Sequence, residues 1–348
     1  MKDGQILIIL LSIIPCFLIA LVAGRYMIPW LKSMKTGQKI REIGPRWHKG
    51  KEGTPAMGGL IFIGTAFLGC LILCLVFHSW TSALVFAFAL VFGAIGFFDD
   101  FRKIKKKQNE GLTAPQKFVL QLAASALYLY ILYRTGHLTG DLSGDQAKDL
   151  SCNLWIPFTD IICKIPIWVY IPFAIFVIVG CVNAVNLTDG IDGLATGVTM
   201  PVMIFFLVTA IMLKKAELAI FPAALIGGLL GFLCYNFHPA KVFMGDTGSL
   251  FLGGAVCGMA FALNMPLILV LVGLVYIAET LSVILQVGYF KLTKKLSADH
   301  QGKRIFKMTP IHHHFEMCGW SEIKIWVVFV SVSILMCVIA FIATAPLR

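Results

Sequence analysis

Aspartates in three separated groups stand out from an otherwise apolar chain: Asp99-Asp100, Asp189 with Asp192, and Asp246. Asn183, Asn186, Asn236, His238 and the run His312-His313-His314 accompany them. Clustered carboxylates with nearby lysines suit electrostatic handling of phosphate with a divalent cation, where a carboxylate ligates the ion or accepts a proton. No Ser-His or Cys-His spacing points to a hydrolytic triad. Side chains of adjacent helical residues point about 100° apart, so Asp99 and Asp100 are expected to play separate parts.

Each group has its own logic. In Asn183 to Ala195, Asn186 or Thr188 is a candidate helix cap, which would place Asp189 and Asp192 on one face. Phe243-Met244-Gly245-Asp246-Thr247-Gly248-Ser249 sets a carboxylate at a helix start, where free N–H groups favour an anion and Asp246 suits Mg²⁺. The three histidines lack a zinc ligand spacing, and consecutive side chains diverge, so phosphate contact is the expectation for them. Gly53 to Gly59 lacks the Gly-Lys-Ser/Thr ending of a phosphate loop, but Lys51 precedes it as a candidate phosphate cation. Glu279 falls inside an apolar span and must face the interior or mark a break.

The elements that position these residues are membrane helices. The 348 residues are 58% hydrophobic and 14% charged, against roughly 25% charged in a soluble domain. That excludes an ordinary soluble protein. Ten apolar spans are predicted: 6–31, 57–78, 80–98, 117–134, 168–185, 196–213, 218–235, 248–263, 266–289 and 323–345. The first is read as a retained helix rather than a cleaved signal, since it runs too long and lacks a small-residue cleavage pattern.

Loops 32–56, 99–117, 186–195, 236–247 and 290–322 then share one side, and a segment 135–167 forms an excursion on the other. The first side holds twenty lysines and arginines and the second seven. By the positive-inside tendency the first side is cytoplasmic, with both termini extracytoplasmic. The fold expectation is one all-α integral membrane domain over 1–348, with about ten transmembrane helices and its active site on the cytoplasmic side. The net charge of +11 is explained by those loops and anionic lipid, so no nucleic-acid partner is expected. Most of the ten cysteines lie inside apolar spans as small hydrophobes, and Cys152 and Cys163 share a loop where pairing is open.

Several segments carry a family resemblance: Gly44-Pro45 through Gly59, Phe98-Asp99-Asp100, Leu112-Thr113-Ala114 to Lys117, and Asn183 to Ala195. Tyr235-Asn236 to Ser249, Glu279-Thr280-Leu281-Ser282 and Pro310 to Glu316 complete the set. They span about three-quarters of the chain in order, and the sequence resembles the bacterial phospho-N-acetylmuramoyl-pentapeptide transferases, within the polyprenyl-phosphate N-acetylhexosamine-1-phosphate transferase superfamily.

The resemblance implies transfer of phospho-MurNAc-pentapeptide from UDP-MurNAc-pentapeptide to undecaprenyl phosphate in the bacterial cell membrane, with Mg²⁺ as cofactor and a homodimer through apolar helix faces. It implies that Asp246 binds Mg²⁺, that Asp100 assists the metal or the substrate, and that Asp99 deprotonates the lipid phosphate or attacks as nucleophile. Lys51, Asn186, Asp189, Asp192, Asn236 and Phe243 are expected around uridine and pyrophosphate, and Lys117, His312, His313 and His314 at phosphate or the sugar-peptide part. Two positions depart from the family pattern: Ile43 replaces an Asp often found before Gly-Pro, and Ala56 a common Thr. A sister transferase for N-acetylglucosamine phosphate is the nearest rival, disfavoured by the triple His. A cation-coupled transporter is the rival from another class, disfavoured because the carboxylates gather at one edge and no repeat is visible.

Overall fold

The computed structural model describes residues 3–34, 53–106, 111–139, 151–297 and 301–347. The chain is an all-α integral membrane protein apart from one small hairpin. Its helices are α1 (Asp3–Leu11), α2 (Ile13–Ser33), α3 (Gly59–Phe77), α4 (Thr81–Lys106), α5 (Ala114–Arg134), α6 (Ile167–Thr188), α7 (Leu194–Met212), α8 (Ile220–Asn236), α9 (Gly245–Ala262), α10 (Leu269–Val272), α11 (Leu274–Leu296), α12 (Ile311–Met317) and α13 (Glu322–Ala343).

Among the described residues, eight helical stretches are long and apolar enough to cross a membrane, α1 and α2 together forming the first. The two other predicted spans are helices as well, α5 and α9, but neither is among those eight. Gln116, Lys117 and Gln121 dilute the first half of α5, and the Gly-Asp-Thr-Gly-Ser start dilutes α9. The bundle supplies what α9 lacks, for α9 is buried almost throughout against α3, α4, α6 and α7. A helix enclosed by protein needs no continuous apolar surface; it needs small residues that let neighbours approach. A Cβ on Gly96 of α4 would stand 2.0 Å from the Asp246 carbonyl oxygen, so only glycine lets α4 cross the start of α9 there.

Two helices run past their apolar spans. The third predicted span ends at residue 98, yet α4 continues to Lys106, which puts Lys103 one turn beyond Asp99 and Asp100 on the same helix. The ninth is broken at Gly273 and then extends to Leu296, where Lys291, Lys294 and Lys295 carry it beyond the apolar stretch. Apolar content marks only the lipid-facing length of a helix, while hydrogen bonding continues until a cap intervenes.

The excursion 135–167 contains strands β1 (Ser151–Trp155) and β2 (Ile162–Pro166), paired antiparallel. Cys152 faces Ile165 and Cys163 faces Leu154, so the register sets the two cysteines off from each other and both are free thiols. The Trp155 indole N–H donates to the Thr159 carbonyl at 2.8 Å, and the Phe158 N–H to the Ala343 carbonyl at 3.1 Å, which ties the hairpin tip to the end of α13.

Candidate active site

Two helices meet where α4 leaves the bundle and α9 enters it. Asp99 and Asp100 come from α4 and are almost wholly buried, while Asp246 in the first turn of α9 keeps 18% of its side chain exposed. One oxygen from each of the three lies within 4.8 Å of the others. The expectation of wholly separate roles for Asp99 and Asp100 is therefore met only in part: their fixed partners differ, but both feed one cluster.

Each carboxylate is oriented by a donor of its own. Asp99 Oδ1 accepts from the Leu112 N–H at 2.7 Å. That N–H is held by the start of α5, where Thr113 caps the helix and Gln116 returns a hydrogen bond to the Thr113 N–H, forming a capping box. Asp100 Oδ2 accepts from both the N–H and the hydroxyl of Thr247, at 2.9 and 2.8 Å. The anion at the N-terminus of α9 is thus Asp100 itself. Asp246 Oδ1 accepts from the Asn186 amide at 3.0 Å, and the same amide reaches Ser249 Oγ at 2.7 Å.

Among the described residues, two lysines face these acids. Lys103 Nζ lies 2.6 Å from Asp99 Oδ2, 3.0 Å from Asp246 Oδ2 and 3.7 Å from Asp100 Oδ1. Lys117 Nζ lies 3.1 Å from Asp99 Oδ1 and 2.7 Å from Asp246 Oδ2. Lys117 was expected; Lys103 stood in the sequence only as one of the basic residues of a loop. Its signal was the i, i+4 and i, i+3 spacing to Asp99 and Asp100, legible only once α4 is known to run that far. An all-oxygen donor set of three carboxylates fits a hard divalent cation such as Mg²⁺.

The segment Asn183 to Ala195 folds otherwise than its caps suggest. Asn186 and Thr188 lie in the last turn of α6, which ends at Thr188 with Asp189 as its C-cap, and α7 starts at Leu194 after Gly193 in the left-handed region. Asp189 and Asp192 therefore lie on a turn and diverge rather than share a helix face. Burial, and then the charges of Asp246, Asp100 and Asp192, push the Asp189 carboxyl well above the ordinary carboxylate range. Asp192 instead accepts from His238 Nδ1 and the Ala240 N–H, both at 3.0 Å, and its own N–H donates to Glu322 at 3.2 Å.

The remaining candidates are bracing rather than open groups in this arrangement. Asn236 is buried, donating to the Val242 carbonyl at 2.9 Å and accepting from the Thr196 hydroxyl at 3.0 Å. The Phe243 N–H donates to the Pro55 carbonyl and its carbonyl accepts from the Gly58 N–H, which staples residues 55–58 onto the approach to α9. The three histidines have separate hydrogen-bond partners, although the His312 and His313 rings meet edge to face at 4.1 Å. His312 pairs with Glu279, so this carboxylate faces the interior; His313 Nδ1 lies 2.5 Å from Glu316, and His314 Nδ1 accepts from the Lys307 N–H at 3.1 Å. Only His312 reaches the Asp189 turn: its Nε2 has no hydrogen-bond partner among the described residues, and a Cβ on Gly190 would stand 2.1 Å from it. Lys51 and Ile43 lie outside the described residues.

Known proteins carry the same pattern. The model of Glycosyl transferase family 4 matches residues 80–264, and that of Phospho-N-acetylmuramoyl-pentapeptide-transferase signature 1 matches residues 51–63. A Clostridium acetobutylicum protein named phospho-N-acetylmuramoyl-pentapeptide-transferase is 45% identical over 97% of this chain and 99% of its own. A namesake from Clostridium perfringens strain 13 is 47% identical over 96% and 98%, and one from Caldanaerobacter subterraneus subsp. tengcongensis 44% over 93% and 95%.

Proposed function

The chain belongs to the phospho-N-acetylmuramoyl-pentapeptide-transferase family, and from that membership we propose the reaction in full. It transfers phospho-MurNAc-pentapeptide from UDP-MurNAc-pentapeptide to undecaprenyl phosphate, giving lipid I and UMP for peptidoglycan synthesis. The chain acts as a single domain in the bacterial cell membrane, with ten crossings, both termini outside and the acidic cluster on the cytoplasmic side. A homodimer through apolar helix faces is part of the same proposal.

The observation that supports the reading is the convergence of Asp99, Asp100 and Asp246 with Lys103 and Lys117 at one end of the bundle. A water-soluble nucleotide sugar can arrive there from outside the membrane, and a lipid phosphate from between the helices. Asp246 and Asp100 would hold Mg²⁺, which when bound supplies charge neutralisation for the pyrophosphate. Lys117, held at the rim by Asp246 and Asp99, is placed to pair with a phosphate oxygen. Asp99, with Oδ1 held by Leu112 and Lys117 and Oδ2 paired with Lys103, orients the two lysines, and it acts on the lipid phosphate as base or as nucleophile. Asn186 holds Asp246, and the turn at Asp189 to Asp192 forms the adjoining wall for the nucleotide. His312 joins that wall through Gly190, and His313 and His314 lie beside it on α12 for the sugar-peptide part.

The test is UMP release by the purified protein with undecaprenyl phosphate and either UDP-MurNAc-pentapeptide or UDP-N-acetylglucosamine, with and without Mg²⁺. Release from the first donor, lost on chelation and restored by Mg²⁺, is the expected result. Release from the second donor alone would overturn the muramoyl assignment.

A further inference from the structure

The oxygens of the three aspartates divide into two sets. One oxygen of each is held by a fixed protein donor: Asp99 Oδ1 by the Leu112 N–H, Asp100 Oδ2 by Thr247, Asp246 Oδ1 by Asn186. The other oxygen of each faces Lys103 Nζ, at 2.6, 3.7 and 3.0 Å respectively, and Asp246 Oδ2 shares Lys117 Nζ at 2.7 Å as well. Lys103 hydrogen-bonds Asp246 Oδ2 and forms ion pairs with Asp99 Oδ2 and, at longer range, Asp100 Oδ1, so one ammonium serves all three inward oxygens.

We infer that Lys103 is an exchangeable counter-cation: its ammonium and a divalent metal compete for the inward oxygens of Asp99, Asp100 and Asp246, and metal binding drives Lys103 out of the cluster. The inference rests on the reading of Asp246 and Asp100 as the metal holders and adds the inward oxygen of Asp99 beside them. Mg²⁺ sits about 2.0–2.1 Å from its oxygen ligands, closer than any ammonium nitrogen can. A cation drawn to those oxygens needs the volume that Lys103 Nζ fills.

The two lysines are not equivalent in this respect. Lys117 contacts Asp99 through Oδ1, the oxygen already shared with Leu112, and has no contact with Asp100. Lys103 alone spans all three acids. Its side chain is 26% exposed and ends a flexible four-carbon stem, so it can swing toward the rim without moving α4. Three carboxylates within 4.8 Å of one another, two of them buried, repel strongly without a cation, and a tethered lysine keeps them compensated between metal-binding events. Once displaced, the ammonium stands at the rim as a cation for an incoming phosphate.

The experiment uses the full chain in lipid nanodiscs, with two readouts that do not require turnover. In the first, lysine acetylation is followed by mass spectrometry as Mg²⁺ is added. Lys103 labelling is expected to rise several-fold at saturation, while exposed Lys105 stays constant. In the second, Mn²⁺ binding is read from the loss of the free-ion paramagnetic resonance signal. Lys103→Met is expected to bind Mn²⁺ about tenfold or more tighter than the unaltered chain, the scale on which one neighbouring charge acts on a buried carboxylate. Because acetylation is read on the unaltered chain, the first readout stands even if the variant fails to fold. Flat Lys103 labelling at a metal concentration that saturates Mn²⁺ binding overturns the exchange alone. An unaltered chain that binds no Mn²⁺, or Asp246→Asn binding it undiminished, overturns the metal reading and the exchange with it.

Discussion

The Glu279 carboxylate lies 3.0 Å from His312 Nδ1, and neither side chain has any surface open to solvent. The pair joins α11 to the short helix α12 and turns the other ring nitrogen of His312 toward Gly190, on the turn beside the acidic cluster. A carboxylate inside an apolar span is costly when alone, so its partner explains why it is tolerated. The third member of the arrangement is the turn after α6, proposed above as the start of the substrate wall.

Removing Glu279 should unfasten α12. Losing one partner of a buried pair costs about 3–5 kcal/mol, and Glu279→Gln, which keeps an acceptor for His312, should cost less. The half-life of activity at a fixed elevated temperature should fall in the order unaltered chain, Glu279→Gln, Glu279→Leu. A leucine variant as durable as the unaltered chain contradicts the assignment.

Asp246→Asn should leave a folded protein without turnover. The amide keeps the hydrogen bond to Asn186 within reach but removes the charge that faces Lys103 and Lys117. Loss of a charge at the reacting centre should lower UMP release by about 10²–10³-fold or more, while the variant elutes as the unaltered chain does in size-exclusion chromatography. Activity within a fewfold of normal would sink the metal role.

Gly96→Ala should separate α4 from α9 at the point where Asp100 meets Thr247. The new methyl would stand 2.0 Å from the Asp246 carbonyl oxygen, a backbone atom, whereas a methyl on Gly64 of α3 meets nothing within 4 Å. Overpacking of this kind costs about 1–3 kcal/mol. Thermal inactivation and UMP release should both suffer in Gly96→Ala and be unchanged in Gly64→Ala.

Asp189 gives a pH signature. Its carboxyl is raised in the folded chain by burial and by Asp246, Asp100 and Asp192, above an unfolded value of about 3.9. The folded state therefore favours the protonated form, and the stability this gives is complete below the unfolded value and lost as pH rises through the folded one. Asp189→Asn cannot ionise, so its advantage in thermal stability over the unaltered chain should grow from acid toward alkaline pH. An advantage that shrinks as pH rises has the wrong sign for this cause.

The proposed orientation can be read from thiols. Cys163 lies on the outer hairpin and exposed Cys318 follows α12 in the last inner loop. A membrane-impermeant maleimide applied to intact cells should modify Cys163 and spare Cys318, with Cys318 reacting after permeabilisation. The reverse pattern inverts the topology.

Much of the site was legible because charged residues are rare in this chain. Any aspartate at the end of an apolar span had to have a partner, so Asp99, Asp100 and Asp246 declared themselves by type and position. Lys103 did not, since one lysine among Arg102, Lys105 and Lys106 carries no mark of its own until the helix that bears it is known to continue. The caps assigned to Asn186 and Thr188 failed for the related reason that these residues also occur near helix C-termini. There a side-chain amide is free to reach across to Asp246, and a hydroxyl to bond back to the Ala184 carbonyl.

What the sequence determined by itself was the solvent of the fold, the apolar lengths of the long helices among the described residues, the asymmetry of its loops and the family, because each is set by composition, local order or a run of adjacent residues. What only the tertiary structure decided was which polar atoms meet: Asp100 at the head of α9, Lys103 among three acids, His312 beneath Gly190, and Asn236 turned away to brace a loop. Those pairings depend on where a helix ends and how closely two helices can approach, and neither is written in any one segment. They follow from packing, where a glycine on α4 and a threonine on α9 together fix a distance that neither could specify alone.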